Sequence, residues 1–216
     1  MNSSFKLSAA VSAGLLLLAT HLPAAAPATA DEPGLIGKPI AGFDFAYLDY
    51  TGSRLSNTRG GSAEFNVPLA PKYDLGFTYD FSRTSGNNYR VSGNNIAATL
   101  LTYNRTEHGK AYFSGSIGHA WDKVKAAGTS IRDNGAIWAV RAGYEIPMGS
   151  QTAVNAGIGY SDPFDRQLAR NSIIEYRVEA NHWFNSTLAG VIAGAYQQIK
   201  DSPDAAVYSI GLRWRY

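Results

Sequence analysis

The strongest candidates for chemistry in this chain of 216 residues are charged side chains that alternate with large apolar residues. Carboxylates on one face of an extended segment could line a passage for cations. A mixture of carboxylates and guanidinium groups could instead form ion pairs that fill a narrow interior. Because about ten strands would enclose only a small bore and arginine side chains are long, we favour ion pairs over a cation passage. The residues that share this alternation are Asp44, Glu64, Asp74, Asp80, Arg141, Glu145, Glu175, Arg177, Glu179, Arg213 and Arg215.

No catalytic triad is evident. Beyond residue 30 the histidines are His108, His119 and His182, and none has a serine and a carboxylate spaced to complete a triad. The chain lacks cysteine, which excludes disulfides, thiolate metal sites and cysteine nucleophiles. We therefore predict a protein without enzymatic activity, metal or cofactor. A barrel enzyme acting on lipid or peptide is kept as an alternative, with His119 as the residue to test.

The alternation predicts the elements that must position these charges. From residue 41 onward, apolar and polar residues alternate with a period of two, which indicates β-strands, and no helical period of 3.6 is evident. The clearest segment sets Tyr73, Phe77 and Phe81 against Asp74 and Asp80. We predict about ten strands, with eight as the alternative. The predicted strands cover residues 42–50, 61–69, 73–81, 89–103, 110–121, 135–146, 154–160, 172–184, 187–197 and 208–216.

The fourth predicted strand departs from strict alternation at residues 94–95 and 100–101, so we expect a β-bulge there. Connections after strands two, four, six and eight are expected to be short. Those after strands one, three, five and seven are expected to be mostly longer and polar, including a loop over residues 122–134. Such asymmetry and an even strand number are typical of transmembrane barrels with both termini on one side.

The face opposite the charges has the composition of a lipid-facing surface. It is aromatic near strand ends and aliphatic or Ala nearer the middle, which is typical of aromatic girdles around an apolar band. A sheet in lipid must close, because no edge can remain unpaired. The predicted fold is therefore all-β, a closed antiparallel up-and-down transmembrane β-barrel, with a soluble secreted barrel as the alternative. The aromatic residues concerned are Phe43, Tyr73, Phe81, Tyr144, Tyr160, Phe184 and Tyr216.

The N-terminus has the pattern of a cleaved secretory signal over residues 1–30. Lys6 is its only charged residue, an apolar run surrounds residues 15–18, and Ala28 and Ala30 have the spacing of a signal-peptidase site. Residues 31–216 are then expected to form a single barrel domain. The net charge of +2, with basic residues scattered along the sequence, argues against nucleic-acid binding.

The C-terminal nine residues carry a family resemblance. Their alternate positions are large and apolar, and the residues between them are Ser, Gly or Arg. This ending resembles the last strand of bacterial outer-membrane β-barrels, namely the small OmpA/OmpX-like and porin-like proteins, in which a terminal aromatic acts as an insertion signal. The residues that match this signal are Tyr208, Ile210, Leu212, Trp214 and Tyr216.

The resemblance implies a location in the outer membrane of a Gram-negative-type bacterium. It also implies contacts with outer-membrane lipid and with the barrel-assembly machinery during biogenesis, and small solutes are possible partners. Because barrels of this kind serve many functions, the fold does not determine the role. We expect an envelope structural or surface role, or slow passive passage of small solutes. A general diffusion pore for small cations or solutes is the main alternative.

Overall fold

The computed structural model describes residues 32–51, 57–86, 89–126, 129–165 and 171–216. The predicted signal peptide lies outside the described residues. Within these ranges, no helix is long and apolar enough to cross a membrane. The elements are β1 (Ile40–Tyr50), β2 (Thr58–Ala70), β3 (Tyr73–Ser85), β4 (Tyr89–Thr106), β5 (Gly109–Ala126), β6 (Thr129–Pro147), β7 (Thr152–Pro163), β8 (Ile173–Trp183), β9 (Leu188–Ile199) and β10 (Ala205–Arg215).

The ten strands form a closed antiparallel barrel. Each strand pairs with its neighbour in sequence, and β10 pairs with β1 to close the sheet. The closing ladder runs from Ile40 opposite Arg215 to Tyr50 opposite Ala205. We call the end at Ile40 and Arg215 the proximal end, and the end at Tyr50 and Ala205 the distal end. The predicted fold is confirmed, and the alternative of eight strands is wrong.

Alternate residues of each strand point into and out of the barrel. In β3, Phe77 and Phe81 are exposed on the outer surface, whereas Asp74 and Asp80 are fully buried inside. This division follows from the pleat of an extended strand, which places successive side chains on opposite faces. The apolar side chains therefore cover the outside, and most charged side chains of the strands lie in the interior.

The predicted loop over residues 122–134 is wrong. β5 continues to Ala126 and β6 begins at Thr129, and Asp122 lies directly opposite Asp133 in their ladder. The polar composition of this segment resembles a loop, but its side chains keep the strand alternation and the backbone keeps its pairing. The connection after β3 is also short. Of the four connections predicted to be mostly longer, those after β1 and β7 are long and those after β3 and β5 are short. The short connections after β2, β4, β6 and β8 are confirmed.

The predicted bulge in β4 is also wrong. β4 pairs with β3 and β5 without a break, and the register shift of the sheet lies in β2 between Pro68 and Ala70. Leu100 points outward, whereas the neighbouring Leu101 is 1% exposed inside the barrel. An apolar residue is accommodated at this inward position because Leu101 packs in the interior against Ile36, which precedes the first strand.

Candidate functional site

The barrel interior is filled at its proximal end by residues 32–39, which we call the plug segment. The segment enters the interior before the chain joins β1, and Leu35, Ile36 and Lys38 are each no more than 2% exposed. Gly37 has a φ of 101°, which a residue with a side chain rarely adopts, so this glycine lets the segment turn within the interior. These residues precede the first predicted strand at residues 42–50, and sequence reasoning did not foresee that they occupy the barrel.

Glu145 of β6 holds the plug segment through its backbone. The Oε2 atom of Glu145 accepts hydrogen bonds from the amides of Leu35 at 2.7 Å and Ile36 at 3.1 Å. Lys110 of β5 lies opposite Glu145, with its Nζ 3.6 Å from Oε1, and donates to the carbonyl of Ile36. A Cβ atom at Gly34 would overlap the Glu145 carboxylate, so the segment can approach this closely because residue 34 is glycine.

Two further strands bind the plug segment on other sides. The carbonyl of Pro33 accepts from Asn181 Nδ2 at 2.7 Å and from Trp183 Nε1 at 2.6 Å, both from β8. Across the interior, Asn66 of β2 donates to the carbonyl of Lys38 at 2.9 Å. Charge-assisted and buried hydrogen bonds from several strands therefore fix the backbone of the segment.

The ionisable groups of the plug segment have shifted pKa values. Burial raises the pKa of Glu32, but hydrogen bonding and attraction from Lys110, with the attraction of Arg105, outweigh it and hold this pKa below its usual value. The Glu32 Oε2 atom lies 2.9 Å from Lys110 Nζ. Burial, with repulsion from Arg215 and Lys110, lowers the pKa of Lys38 to about 8. The Nζ of Lys38 lies 4.7 Å above the ring of Trp183.

Beyond the plug segment, the interior contains a charged belt, defined here as Asp44, Glu64, Arg141, Glu175, Arg177, Glu179 and Arg213. Arg213 is 1% exposed and donates to Asp44 from both terminal nitrogens, at 2.8 and 3.1 Å. Its Nε forms an ion pair with Glu64. Arg177 pairs with Glu179 at 3.0 Å, and Arg141 pairs with Glu175. Buried charges are tolerated in proteins when they are paired in this way.

Glycines make room for two of these pairs. Gly42 of β1 lies between Arg213 and Glu64 in register, so the arginine crosses an empty position to reach the glutamate two strands away. Gly159 of β7 occupies the same position between Arg141 and Glu175. A Cβ on Gly42 would lie 2.5 Å from Arg213 Cδ, whereas one on Gly159 would meet its nearest atom at 3.4 Å.

The two acids of β3 differ in their environment. Asp80 accepts a hydrogen bond from Asn95 Nδ2 at 2.9 Å. Asp74 is fully buried opposite Leu101, and within the described residues neither of its carboxylate oxygens has a hydrogen-bond partner. The described residues therefore leave the hydrogen-bonding capacity of the Asp74 carboxylate unmet.

At the distal end, the interior is apolar. A cluster of buried side chains, contributed by six strands and joined by packing, occupies the space above the charged belt. Sequence reasoning treated the inner face as polar and missed this layer. In the sequence, these apolar residues occupy the same alternation phase as the charged residues, and this could have indicated an apolar layer inside the barrel. The members are Leu48, Tyr50, Ala120, Ile137, Ile173, Ile199, Ala205 and Val207.

The predicted interior residues all lie on the inner phase of their strands, with Glu179 and Arg215 partly exposed. The histidines lie elsewhere. His119 and His182 face outward, where His119 contacts Trp121 and the Nδ1 of His182 lies 2.9 Å from Thr152 Oγ1. His108 is exposed in the proximal turn after β4. The barrel wall separates the two outward histidines from the buried carboxylates.

No protein-family model matches the sequence, and no curated protein matches it significantly. Among solved structures, the transport unit of the autotransporter AIDA-I from Escherichia coli is similar at 9% identity, with a TM-score of 0.55 over 100% of this chain and 98% of that one. The β domain of the Bordetella autotransporter BrkA is similar at 10% identity, with a TM-score of 0.52 over 83% of this chain and 99% of that one. The predicted resemblance to outer-membrane β-barrels is thus confirmed as a likeness of fold.

Proposed function

We propose that this chain is an integral outer-membrane protein with an envelope structural or surface role, whose barrel is closed to free diffusion by the plug segment. The role is non-enzymatic in this proposal. The barrel contacts outer-membrane lipid and is inserted by the barrel-assembly machinery, with its proximal end in the periplasm. The observation that carries the proposal is the attachment of residues 32–39 to Glu145 inside the barrel.

The outer surface supports a lipid environment. Phe45, Ile117 and Ile210 are each more than 60% exposed, and a contiguous apolar surface of this kind is unfavourable in water. On β5, the outward face runs from Phe113 near the proximal end to Trp121 near the distal end. Eight residues span about 27 Å along a strand, or about 21 Å along the barrel axis at a tilt near 40°, which is close to the height of a transmembrane apolar band.

The filled interior supports closure. The plug segment, the charged belt and the apolar layer follow one another from the proximal to the distal end. An aqueous channel requires a continuous polar path, and the apolar layer interrupts such a path. A wide diffusion pore also requires more strands than ten, because barrel diameter grows with strand number.

Slow passage of small cations is the second candidate. A cavity of about 170 Å³ lies beside the plug segment at the proximal end, lined in part by Glu32, Lys110 and Glu145. Asp74, close to the proximal turn that precedes β3, offers a carboxylate with no hydrogen-bond partner among the described residues. Movement of the plug segment, together with an opening in the apolar layer, would join these features into a path lined by acids.

Single-channel conductance of residues 31–216, refolded into a planar bilayer, tests the proposal. We expect the wild-type barrel to insert and to remain closed. Glu145→Gln keeps an acceptor but loses the charge that binds two amides and Lys110, so, combined with Ile137→Ser to interrupt the apolar layer, it should show brief openings. Glu107→Gln, an exposed acid at the same end, combined with the same Ile137→Ser is the matched control and should stay closed because its plug segment is still held. Stable conductance by the wild-type protein would favour the pore instead.

A further inference from the structure

Six basic side chains form a patch on the outer surface at the distal end, although they are scattered along the sequence. Arg59, Arg83, Lys123 and Arg132 lie in one row across β2 to β6, with Ser92 at its centre. One pleat further out, Arg90 of β4 lies opposite Lys125 of β5. We call these six residues the distal cationic patch. With strands about 4.8 Å apart, the row is about 19 Å long.

The patch places like charges directly opposite one another. Arg59 pairs in register with Arg83, Lys123 with Arg132, and Arg90 with Lys125. Cross-strand pairs of like charge destabilise a sheet. Three such pairs on adjoining strands are therefore unfavourable for the isolated barrel, and an anionic partner would remove the repulsion.

The protein itself supplies no such partner in the part of the chain that the structure describes. None of the six side chains has a carboxylate within 4 Å there. The acids of β2 to β6 face inward, and the nearest outward acid by register is Asp49 of β1, one diagonal position from Arg59. The internal segments outside the described residues contain no Asp or Glu in their sequence.

The position of the patch identifies the partner as lipid. In the row directly below, Phe81 and Trp121 are exposed on the outer surface, two residues before Arg83 and Lys123 along their strands. Aromatic side chains of this kind mark the boundary between lipid and water. The basic side chains thus lie at headgroup height, about 7 Å beyond the aromatic ring row, where lipid phosphates are found.

We propose that the distal cationic patch binds the phosphate groups of an anionic lipid in the outer leaflet, and that the bound lipid offsets the repulsion within the patch. Guanidinium groups suit this role, because they bind phosphate through two parallel hydrogen bonds. The inference rests on the proposed membrane location, with the distal end facing outward.

The test compares barrels in nanodiscs of phosphatidylcholine with barrels in the same discs containing bisphosphorylated lipid A. The variant is Arg83→Gln with Lys123→Gln, which removes the two charges on either side of Ser92. The control is Lys72→Gln with Lys200→Gln, which removes the same charge from exposed positions outside the patch. Lipid A retained on the barrel is counted by native mass spectrometry, and unfolding is followed in parallel.

We expect the affinity for lipid A to fall about tenfold in the variant and to stay unchanged in the control. In phosphatidylcholine alone, the variant should be as stable as the wild type or more so, because repulsion is relieved. If the wild-type barrel inserts but retains no more lipid A than the variant does, the inference is overturned and the proposed function is left intact. Binding of soluble heparin in place of lipid A also overturns it. Failure to insert into either disc would overturn the proposed function itself.

Discussion

Lys110 and Glu145 face each other across the β5–β6 ladder and bind opposite sides of one residue of the plug segment. Lys110 donates to the carbonyl of Ile36, and Glu145 accepts the amide of Ile36 at 3.1 Å. The two side chains also neutralise each other, with Nζ 3.6 Å from Oε1. This ion pair of the barrel wall thus fixes the backbone of the plug segment at Ile36, in addition to the hydrogen bonds from β2 and β8.

Gly34→Ala tests the closeness of that contact. The added methyl group would occupy the space of the Glu145 carboxylate, so the two amide hydrogen bonds must lengthen or break. We expect the plug segment to lose about 1–3 kcal/mol of stability. Limited proteolysis of the segment should then be faster. Gly115→Ala is the control, because a Cβ there has no atom within 4 Å, and it should leave proteolysis unchanged.

The two glycines that lie between ion-paired residues of the charged belt should respond differently to the same substitution. Gly42→Ala forces a Cβ to within 2.5 Å of Arg213 Cδ and should destabilise the barrel by about 1–3 kcal/mol. At Gly159 the nearest atom is 3.4 Å away, so Gly159→Ala should change stability by less than about 1 kcal/mol. Urea unfolding in lipid vesicles measures both. Equal effects of the two substitutions would show that the space around these glycines is not the determining factor.

The triad of Arg213, Asp44 and Glu64 predicts a non-additive response. Arg213→Met leaves two buried acids facing each other without a cation and should cost about 3–5 kcal/mol. Adding Asp44→Asn and Glu64→Gln removes that repulsion, so the triple variant should recover part of the loss. If the triple variant is less stable than Arg213→Met alone, the triad does not act as a charge-balanced unit.

The stability of the barrel should rise with pH between about 8 and 10.5 because of Lys38. Its pKa is lowered to about 8 in the folded protein, while the unfolded chain keeps the ordinary value of 10.5. The unfolded state therefore binds more protons in this window, and deprotonation favours the folded state. We expect a gain of about 2 kcal/mol from pH 7 to pH 10 relative to Lys38→Met. Unfolding curves that run parallel for the two proteins would contradict this assignment.

The last aromatic residue has a defined structural partner. The ring of Tyr216 stacks on Phe65 of β2 at 5.0 Å, and its hydroxyl donates to the carbonyl of Asn66 at 2.7 Å. Tyr216→Phe keeps the stacking and should fold with nearly the wild-type yield, whereas Tyr216→Ala should lower the yield in vesicles. Band shifts in unheated gels measure the folded fraction. Whether Tyr208, Ile210, Leu212, Trp214 and Tyr216 act as an insertion signal stays a prediction.

The sequence was sufficient to predict the strands, because strand alternation is a local property. The phase of Asp74 and Asp80 against Phe77 is visible within a few residues and determines which side of the sheet each one occupies. The loop predicted over residues 122–134 is wrong because strand pairing, unlike alternation, is not a local property. Composition indicates polarity, but only pairing between β5 and β6 shows that the strands continue beyond the apolar band.

The arrangement of the interior could not be predicted in the same way. Residues 32–39 have no periodicity, and their place inside the barrel depends on partners more than 100 residues away, such as Glu145 and Asn181. Leu101 is an example. Its apolar side chain packs inward on Ile36, and in the sequence this appears as a break in the alternation that was interpreted as a bulge. The like-charged neighbours of the distal cationic patch also become apparent only from the register of five strands.

The central claim is that residues 32–39 occupy the interior of the folded barrel, and a single cysteine tests it most directly. The chain has no cysteine, so Leu35→Cys provides a unique thiol at a position that is 2% exposed. In vesicles, we expect its reaction with a water-soluble maleimide to be about 100-fold slower than that of Ser150→Cys in an exposed proximal turn, which corresponds to an opening free energy of about 2.7 kcal/mol. Equal labelling rates at the two positions would contradict the plugged barrel.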